Sequence, residues 1–273
     1  MLQGMTHAAP AAGEVVRVGA VDPELLGGLD PAVARRLART LVTELVHLER
    51  GARVDVGIQA AGGFGMLLLD GVVARSVQLG TRSSIELLGA GDIVRPWQDE
   101  HAIGSLPGAV AWVVMEPARL ALLDADFVAS AARHPAIFDE LAGRLVQRSH
   151  ALADRLAIAQ IPRLEARMLA LLWHLADRWG RRSPSRVSIS LRLGHGTLAN
   201  LACAQRPSVS VALRNLCAAG RIARRPEGGW DLFGAPASES ELLDLRRPRS
   251  ALSRLAGADA PLAGRLTAAA AQV

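Results

Sequence analysis

The residue pattern with the most specific chemistry runs from Leu193 to Leu216, LGHGTLANLACAQRPSVSVALRNL. Leu198, Leu201 and Ala202 recur at three- and four-residue spacing, as do Val209, Leu213 and Leu216. The stretch therefore predicts two short helices, each with one apolar stripe. Cys203-Ala204-Gln205-Arg206 leaves room only for a sharp turn, Pro207 suits the first turn of a helix, and Gly220 ends the second helix. With its apolar stripe turned inward, the second helix shows Arg206, Pro207, Ser208, Ser210, Val211 and Arg214 on its outer face. A helix lying in the major groove of duplex DNA reads bases with its N-terminal residues, and a guanidinium there can bond guanine bidentately. Arg206 is the first candidate for that contact. An ordinary helical hairpin in an all-α domain would use the same residues; the flanking sequence favours the first reading.

After Gly220, Arg221-Ile222-Ala223-Arg224-Arg225, a turn at Pro226-Glu227-Gly228-Gly229 and Trp230-Asp231-Leu232-Phe233 predict strand, turn, strand, which is a wing beside the second helix. Upstream, Arg163 to Trp179 predicts a helix burying Leu164, Met168, Leu171, Leu172 and Leu175. A basic loop, Arg181 to Arg186, and a short alternating strand, Val187 to Leu191, follow it. His195 and Thr197 open the first helix of the pair, where backbone N–H groups favour anions, so both are candidate phosphate contacts; Thr197 serves equally as a cap. Cys203 stands where such a turn favours glycine, which predicts backbone strain. Every one of the 31 basic residues is arginine. Residues 1–159 hold 14 of them against 18 carboxylates, whereas residues 160–233 hold 12 against 4, a balance of +8. Positive charge gathered on the helix-pair segment is the footprint of a surface that neutralises phosphates.

Leu171-Leu-Trp-His-Leu-Ala-Asp-Arg-Trp-Gly180, the helix pair with Arg206-Pro-Ser-Val-Ser210, and the hairpin from Gly220 to Trp230 together resemble the winged helix-turn-helix domain of the Crp/Fnr family of bacterial transcription regulators. The resemblance implies a cytoplasmic homodimer reading a palindromic operator in double-stranded DNA, its half-sites about 34 Å apart, with RNA polymerase as a partner. It places base contacts at Arg206, Pro207 and Val211, with Ser210 adding a weaker one. Pro207 and Val211 depart from the family's charged residues; without donors they can meet only thymine methyls, so readout is expected to rest on Arg206. Ser208, Arg214, Arg224 and Arg225 are assigned to phosphates together with His195 and Thr197.

Asp30-Pro31 predicts a capped helix running to about Glu49. From Gly51 to Val114, short β-branched and leucine runs are cut by Gly62-Gly63, Gly71, Gly80, Gly89 and Gly91, which predicts a sandwich, roll or barrel. Met66 to Arg75 and Ile85 to Val94 resemble the β-roll of cyclic-nucleotide-binding domains, the sensor half of the same family. They depart from it where a phosphate would bind. That family has a Gly-Glu pair and, further on, an Arg followed by a small hydroxyl residue, whereas this chain has Ile93-Val-Arg-Pro-Trp-Gln-Asp99 and Pro107-Gly-Ala-Val-Ala-Trp112. Arg95 is the one cation nearby, and Trp97, Asp99, Glu100 and His101 form a polar cluster beside a ring. Arg95, Trp97 and His101 are thus the candidate pocket for an unidentified small-molecule effector; a solvated loop is the plainer reading of the same residues.

From Pro135 to Ala159, Phe138, Leu141, Leu145, Leu152 and Ala159 fall near a seven-residue register, which predicts a dimerisation helix that also packs in part on its own roll. Ile161-Pro162 predicts a hinge. The expected class is α+β: a disordered N-terminus at 1–15, an antiparallel β-roll (a cupin-like double-stranded β-helix) at 16–134, the dimerisation helix at 135–160, a winged helix-turn-helix at 161–233, and a flexible C-terminal tail at 234–273 with short helices near 239–245 and 251–255.

No apolar run reaches membrane-spanning length and no secretory signal opens the chain. Cys203 and Cys217 make neither a disulfide framework nor a cluster site and are expected as small buried hydrophobes. His47, His101, His134 and His150 are scattered singly, so no metal centre is expected. Ala60 to Gly65 lacks the lysine of a phosphate loop, and no nucleophile elbow or dinucleotide fingerprint is present. No catalytic residue and no cofactor is therefore predicted. Two alternatives stay open: a ligand-binding or enzymatic roll whose helical domain contacts proteins, and a DNA-binding protein that needs no effector.

Overall fold

The computed structural model describes residues 14–54, 63–97, 106–238 and 242. Residues 1–13, Asp99 to His101 of the predicted polar cluster and the two tail helices lie outside the described residues, apart from Leu242.

The class is α+β, as expected. The chain opens with β1 (Val15–Arg17), α1 (Val18–Val21), a 3-10 turn (Pro23–Leu26) and α2 (Pro31–Thr40). Asp30 caps α2 by accepting from the backbone N–H groups of Ala32 at 2.8 Å and Val33 at 3.3 Å, with Pro31 in the first turn. The helix does not reach Glu49. It ends at Thr40, and Val42–Leu48 forms β2 instead. Leu41, Thr43 and Leu45 alternate inward, which a period of two satisfies, and residues 45–48 pair with residues 118–121 of a long later strand.

The remaining strands are fewer and longer than the glycine spacing suggests: β3 (Gly65–Leu79), β4 (Arg82–Leu88), β5 (Ile93–Val94) and β6 (Gly108–Leu123). They are antiparallel in the order β1-β2-β6-β3-β4, with β5 also on β3. Gly71 is a bend rather than a strand end. The β3–β6 register shifts between Leu68 and Val73, and Gly71 has a φ of +88°, where a Cβ would sit 2.2 Å from the Pro117 carbonyl oxygen. The bend lets β3 face three cores. Met66, Leu68 and Val73 fill the roll interior with Val46, Leu88, Trp112 and Leu120; Leu67 faces α2 and the helices after β6; Val72 and Ala74 pack on the C-terminal domain.

After β6 come α3 (Ala125–Ala131) and α4 (Pro135–Ala159). Asp124 caps α3 through the Phe127 N–H at 2.8 Å, and Phe127 is buried against the roll. Asp124→Ala is expected to lower stability by about 1 kcal/mol, read as a shifted denaturant midpoint at unchanged slope; an unmoved midpoint would show that the cap does not hold α3. Ile137 and Leu141 are wholly buried on the roll, with Phe138 and Leu145 packed beside them, so most of the residues read from the sequence as a pairing stripe serve their own subunit. Polar residues on the same side of α4 pair with the N-terminal domain. Arg144 meets Asp22 and Glu140, and Arg148 forks onto buried Glu86 at 2.6 and 2.8 Å.

The chain turns at Ile161-Pro162 into α5 (Leu164–Trp179), β7 (Gly180–Arg182), β8 (Val187–Ile189), α6 (His195–Leu201), α7 (Arg206–Ala218), β9 (Ile222–Arg224) and β10 (Trp230–Leu232). Arg181 and Arg182, read from the sequence as loop, extend a four-stranded sheet of order β7-β8-β10-β9. Among the described residues no helix is long and apolar enough to cross a membrane.

Candidate nucleic-acid interface

The two predicted helices are present, and their apolar stripes meet. Leu198, Leu201 and Ala202 of α6 and the turn share one core with Val209, Leu213 and Leu216 of α7 and with Met168, Leu171, Leu172 and Leu175 of α5. In the turn Cys203 adopts φ +51°, the left-handed conformation expected of a glycine position and the one positive φ at a non-glycine among the described residues. Both cysteines are exposed, correcting the expectation of buried ones: Cys203 is lifted outward by the turn, and Cys217 falls off the inward stripe of α7. Arg167 holds the turn by donating to the carbonyls of Ile161 at 2.8 Å and Ala202 at 3.3 Å, so one side chain fastens the hinge to the helix pair.

On the outer face of α7, Arg206, Pro207, Ser208, Val211 and Arg214 are exposed. Among the described residues neither the Arg206 nor the Arg214 guanidinium has a hydrogen bond or an ion pair, so their donors are uncommitted. Ser210 differs. Its hydroxyl donates to the Arg206 carbonyl at 3.0 Å and therefore accepts from His195 Nδ1 at 2.8 Å. Nδ1 therefore carries a proton, which in the neutral ring leaves Nε2 bare. His195 also stacks on Trp230, and burial together with Arg224 and Arg206 holds its pKa below the usual histidine value. Thr197 sits half-buried in the first turn of α6 and makes no cap; the N-cap position is Gly194.

The wing is held by Trp230, whose indole Nε1 donates to the Leu193 carbonyl at 3.4 Å; Arg224 lies over its ring and donates to the same carbonyl at 3.0 Å. Arg225 is paired with Glu227 and Asp231. The two wing arginines thus spend donors inside the domain, whereas Arg206 and Arg214 do not. The His195–Ser210 link joins residues fifteen apart through a turn and leaves no mark in periodicity or composition.

In the N-terminal domain, Arg95 lies over the Phe64 ring with its Nε buried and without a hydrogen-bond partner among the described residues, and Trp97 packs against the roll interior; His101 lies outside the described residues. Among the described residues, no cluster of three or more His, Cys, Asp or Glu could hold a metal ion.

Residues 166–231 match the family model of the Crp-like helix-turn-helix domain. The chain carries a Crp-like helix-turn-helix domain. No curated protein matches the chain. Solved structures match over most of the chain. A CRP-family transcriptional regulator from Thermus thermophilus is 23% identical, with a TM-score of 0.54 over 72% of this chain and 95% of its own. A cyclic nucleotide-binding domain containing protein from Listeria monocytogenes EGD-e is 14% identical, with a TM-score of 0.56 over 70% and 89%. FixK2 from Bradyrhizobium japonicum is 14% identical, with a TM-score of 0.53 over 76% and 99%. The Crp-like domain therefore sits behind a roll and a long helix, and the likeness to these structures is one of fold.

Proposed function

We propose that the protein regulates transcription as a homodimer whose two α7 helices read a palindromic operator in double-stranded DNA. The observation that carries this is the open face of α7, where Arg206 and Arg214 keep their donors free on a Crp-like helix-turn-helix. Arg206 is the guanine reader; Pro207 and Val211 contribute apolar contact, and the tied hydroxyl of Ser210 limits it to a minor contact. Arg214, with Ser208, Thr197 and His195, meets phosphates, and the outer donors of Arg224 and Arg225 add general affinity.

Pairing uses the side of α4 that its own roll leaves open. Ala142, Val146, Ser149, Ala153 and Leu156 are exposed at alternating four- and three-residue spacing, with Val146 53% and Leu156 67% accessible. That spacing is a heptad seam, which a second α4 covers best. The test is selection from random duplex DNA by the purified full chain at near-physiological salt. A palindrome with half-sites about one helical turn apart is the expected result; no enriched sequence would overturn the reading.

Protonation of His195 supplies the Nε2–H that a phosphate needs, and the phosphate in turn favours the imidazolium. DNA binding should therefore take up protons, and affinity should rise as the pH falls from about 7.5 to about 5.5, by up to about tenfold per unit per His195. In the free protein the sign is opposite: with a folded pKa below the unfolded one, the neutral ring's stabilisation is full above the unfolded value and is lost as the pH falls through the folded one. Anisotropy titrations of wild type and His195→Gln across this range should show the slope only in wild type; equal slopes would remove His195 from the interface.

A further inference from the structure

The helix-turn-helix domain meets the roll through two kinds of contact. Val72, Ala74 and Leu87 of the roll share one buried core with α5 and α6. Burial of apolar surface is non-directional, so it holds the domains together without fixing the angle between them. The second contact is directional. The turn between β4 and β5, Gly89 to Asp92, receives the C-terminal end of α5: Arg178 pairs with Asp92 at 2.8 Å and donates to the Ala90 carbonyl at 3.0 Å. The Asp92 side chain is only 8% accessible, and its Oδ2 also accepts from the Gly89 N–H at 2.8 Å, so the turn itself holds the carboxylate in place for Arg178. The Arg178 guanidinium lies over the Trp179 ring, and a Cβ on Gly89 would stand 3.0 Å from the indole Nε1, so the ring is seated against the glycine.

The place of these contacts along α5 decides what they can do. The helix leaves the hinge at Leu164 and ends at Trp179, so its 16 residues form a rod of about 24 Å tied at both ends. Holding the far end to about 1 Å fixes the direction of such a rod to about 2–3°. The reading helix α7 packs on α5 in the same core and turns with it. As a stabiliser the Arg178–Asp92 pair is weak, because Arg178 is 37% accessible; fixing a register is the better-attested use of a pair with one buried member. One base pair added between two half-sites moves one against the other by about 3.4 Å and about 35°, half of it for each subunit to absorb. Readers held to a few degrees cannot absorb it, and readers tied only by the hinge and an apolar face can.

We propose that the seat of Arg178 and Trp179 on the Gly89–Asp92 turn sets the half-site spacing that the dimer accepts. Arg178 is then a positioning residue, acting through the orientation of α7. The inference rests on the dimeric, palindrome-reading function proposed above.

The test uses the full chain as Cys217→Ser, with a nitroxide on the exposed Cys203 in the turn of the helix pair, so that the two labels of a dimer report the separation of the readers without DNA. Pulsed electron paramagnetic resonance should give one narrow distance distribution for this parent and one about twofold wider for Arg178→Gln. Arg178→Lys, which keeps a charge for Asp92, should fall between them. The unlabelled proteins are then titrated with the selected operator, with versions one base pair longer and shorter at its centre, and with a single half-site. The parent should lose at least about 30-fold when the spacing changes, and Arg178→Gln no more than about fivefold, with single half-site affinity within about twofold of the parent. A folded Arg178→Gln with the parent's distance width and spacing profile would overturn the proposal, as would an equal loss on operator and half-site. A parent with no dipolar signal and no preference for two half-sites over one would instead remove the dimeric reading, and this inference with it.

Discussion

Leu156→Glu is expected to convert the protein to a monomer and to lower its affinity for a palindromic operator by about 10²–10⁴-fold, while leaving each subunit folded. Leu156 is 67% accessible and belongs to none of the three buried cores, so the glutamate meets water in the single subunit. Across a two-fold seam it would instead face its own copy, exchanging buried apolar area for two like charges. Loss of the dimer turns one bivalent event into two independent half-site events, and the linkage between them is the avidity that disappears. Light scattering coupled to size exclusion reads the mass, anisotropy with one-half-site and two-half-site duplexes reads the affinity, and circular dichroism checks the fold. A variant that stays dimeric would show that the subunits pair through another surface; a monomer that keeps full operator affinity would show that the reader does not depend on pairing.

Arg206→Ala is the second large effect. One bidentate guanine contact is worth about 1–3 kcal/mol, so two half-sites lose about 2–6 kcal/mol, or roughly 30-fold to more than 10⁴-fold in operator affinity. Binding to unrelated duplexes should fall much less, because there Arg206 contributes only one of many charges. Arg206→Lys keeps that charge and loses the fork, so it should follow Ala on the operator and wild type on unrelated DNA. Arg214→Ala should instead weaken both duplexes alike and lower the salt slope by about one per subunit. Uniform loss from Arg206→Ala on every sequence would make Arg206 a phosphate contact and leave the bases unread by this helix.

The two effects test different parts of one device. The reader is a small domain whose core also takes in side chains of the roll, and further contacts with the roll set its position. Arg178 pairs with Asp92 and donates to the Ala90 carbonyl, and Trp179 lies against Gly89, where a Cβ would meet its Nε1 at 3.0 Å. Val72, Ala74 and Leu87 of the roll belong to the same buried core as α5 and α6. The hairpin of β3 and β4 is therefore shared between the domains.

Much of the reader was legible in the chain. Periods of three and four at Leu198, Leu201, Val209, Leu213 and Leu216, the proline at position 207, the glycine at 220 and the alternating wing are local signals, and local geometry answers them. The sensor was less legible. A strand that bends through a bulge at Gly71 looks in sequence like two strands with a turn, because a glycine with positive φ marks either. The passage from α2 to β2 was missed because Val42 to Leu48 can continue a helix locally and becomes a strand only when β6 offers it backbone partners.

The sequence by itself determined the class of the fold, the two-helix motif, its wing and the cationic segment around them, since each depends on spacing within one element or the next. Only the tertiary structure decided which face of α4 is spent on its own roll and which is left open. It alone showed that Ser210 is tied to His195 while Arg206 and Arg214 are not. The physical reason is that burial and hydrogen-bond satisfaction depend on pairs far apart in the chain: Glu86 with Arg148, Asp22 with Arg144, Ala202 with Arg167. Periodicity tells that a stripe exists, but what covers it is a property of the packed molecule.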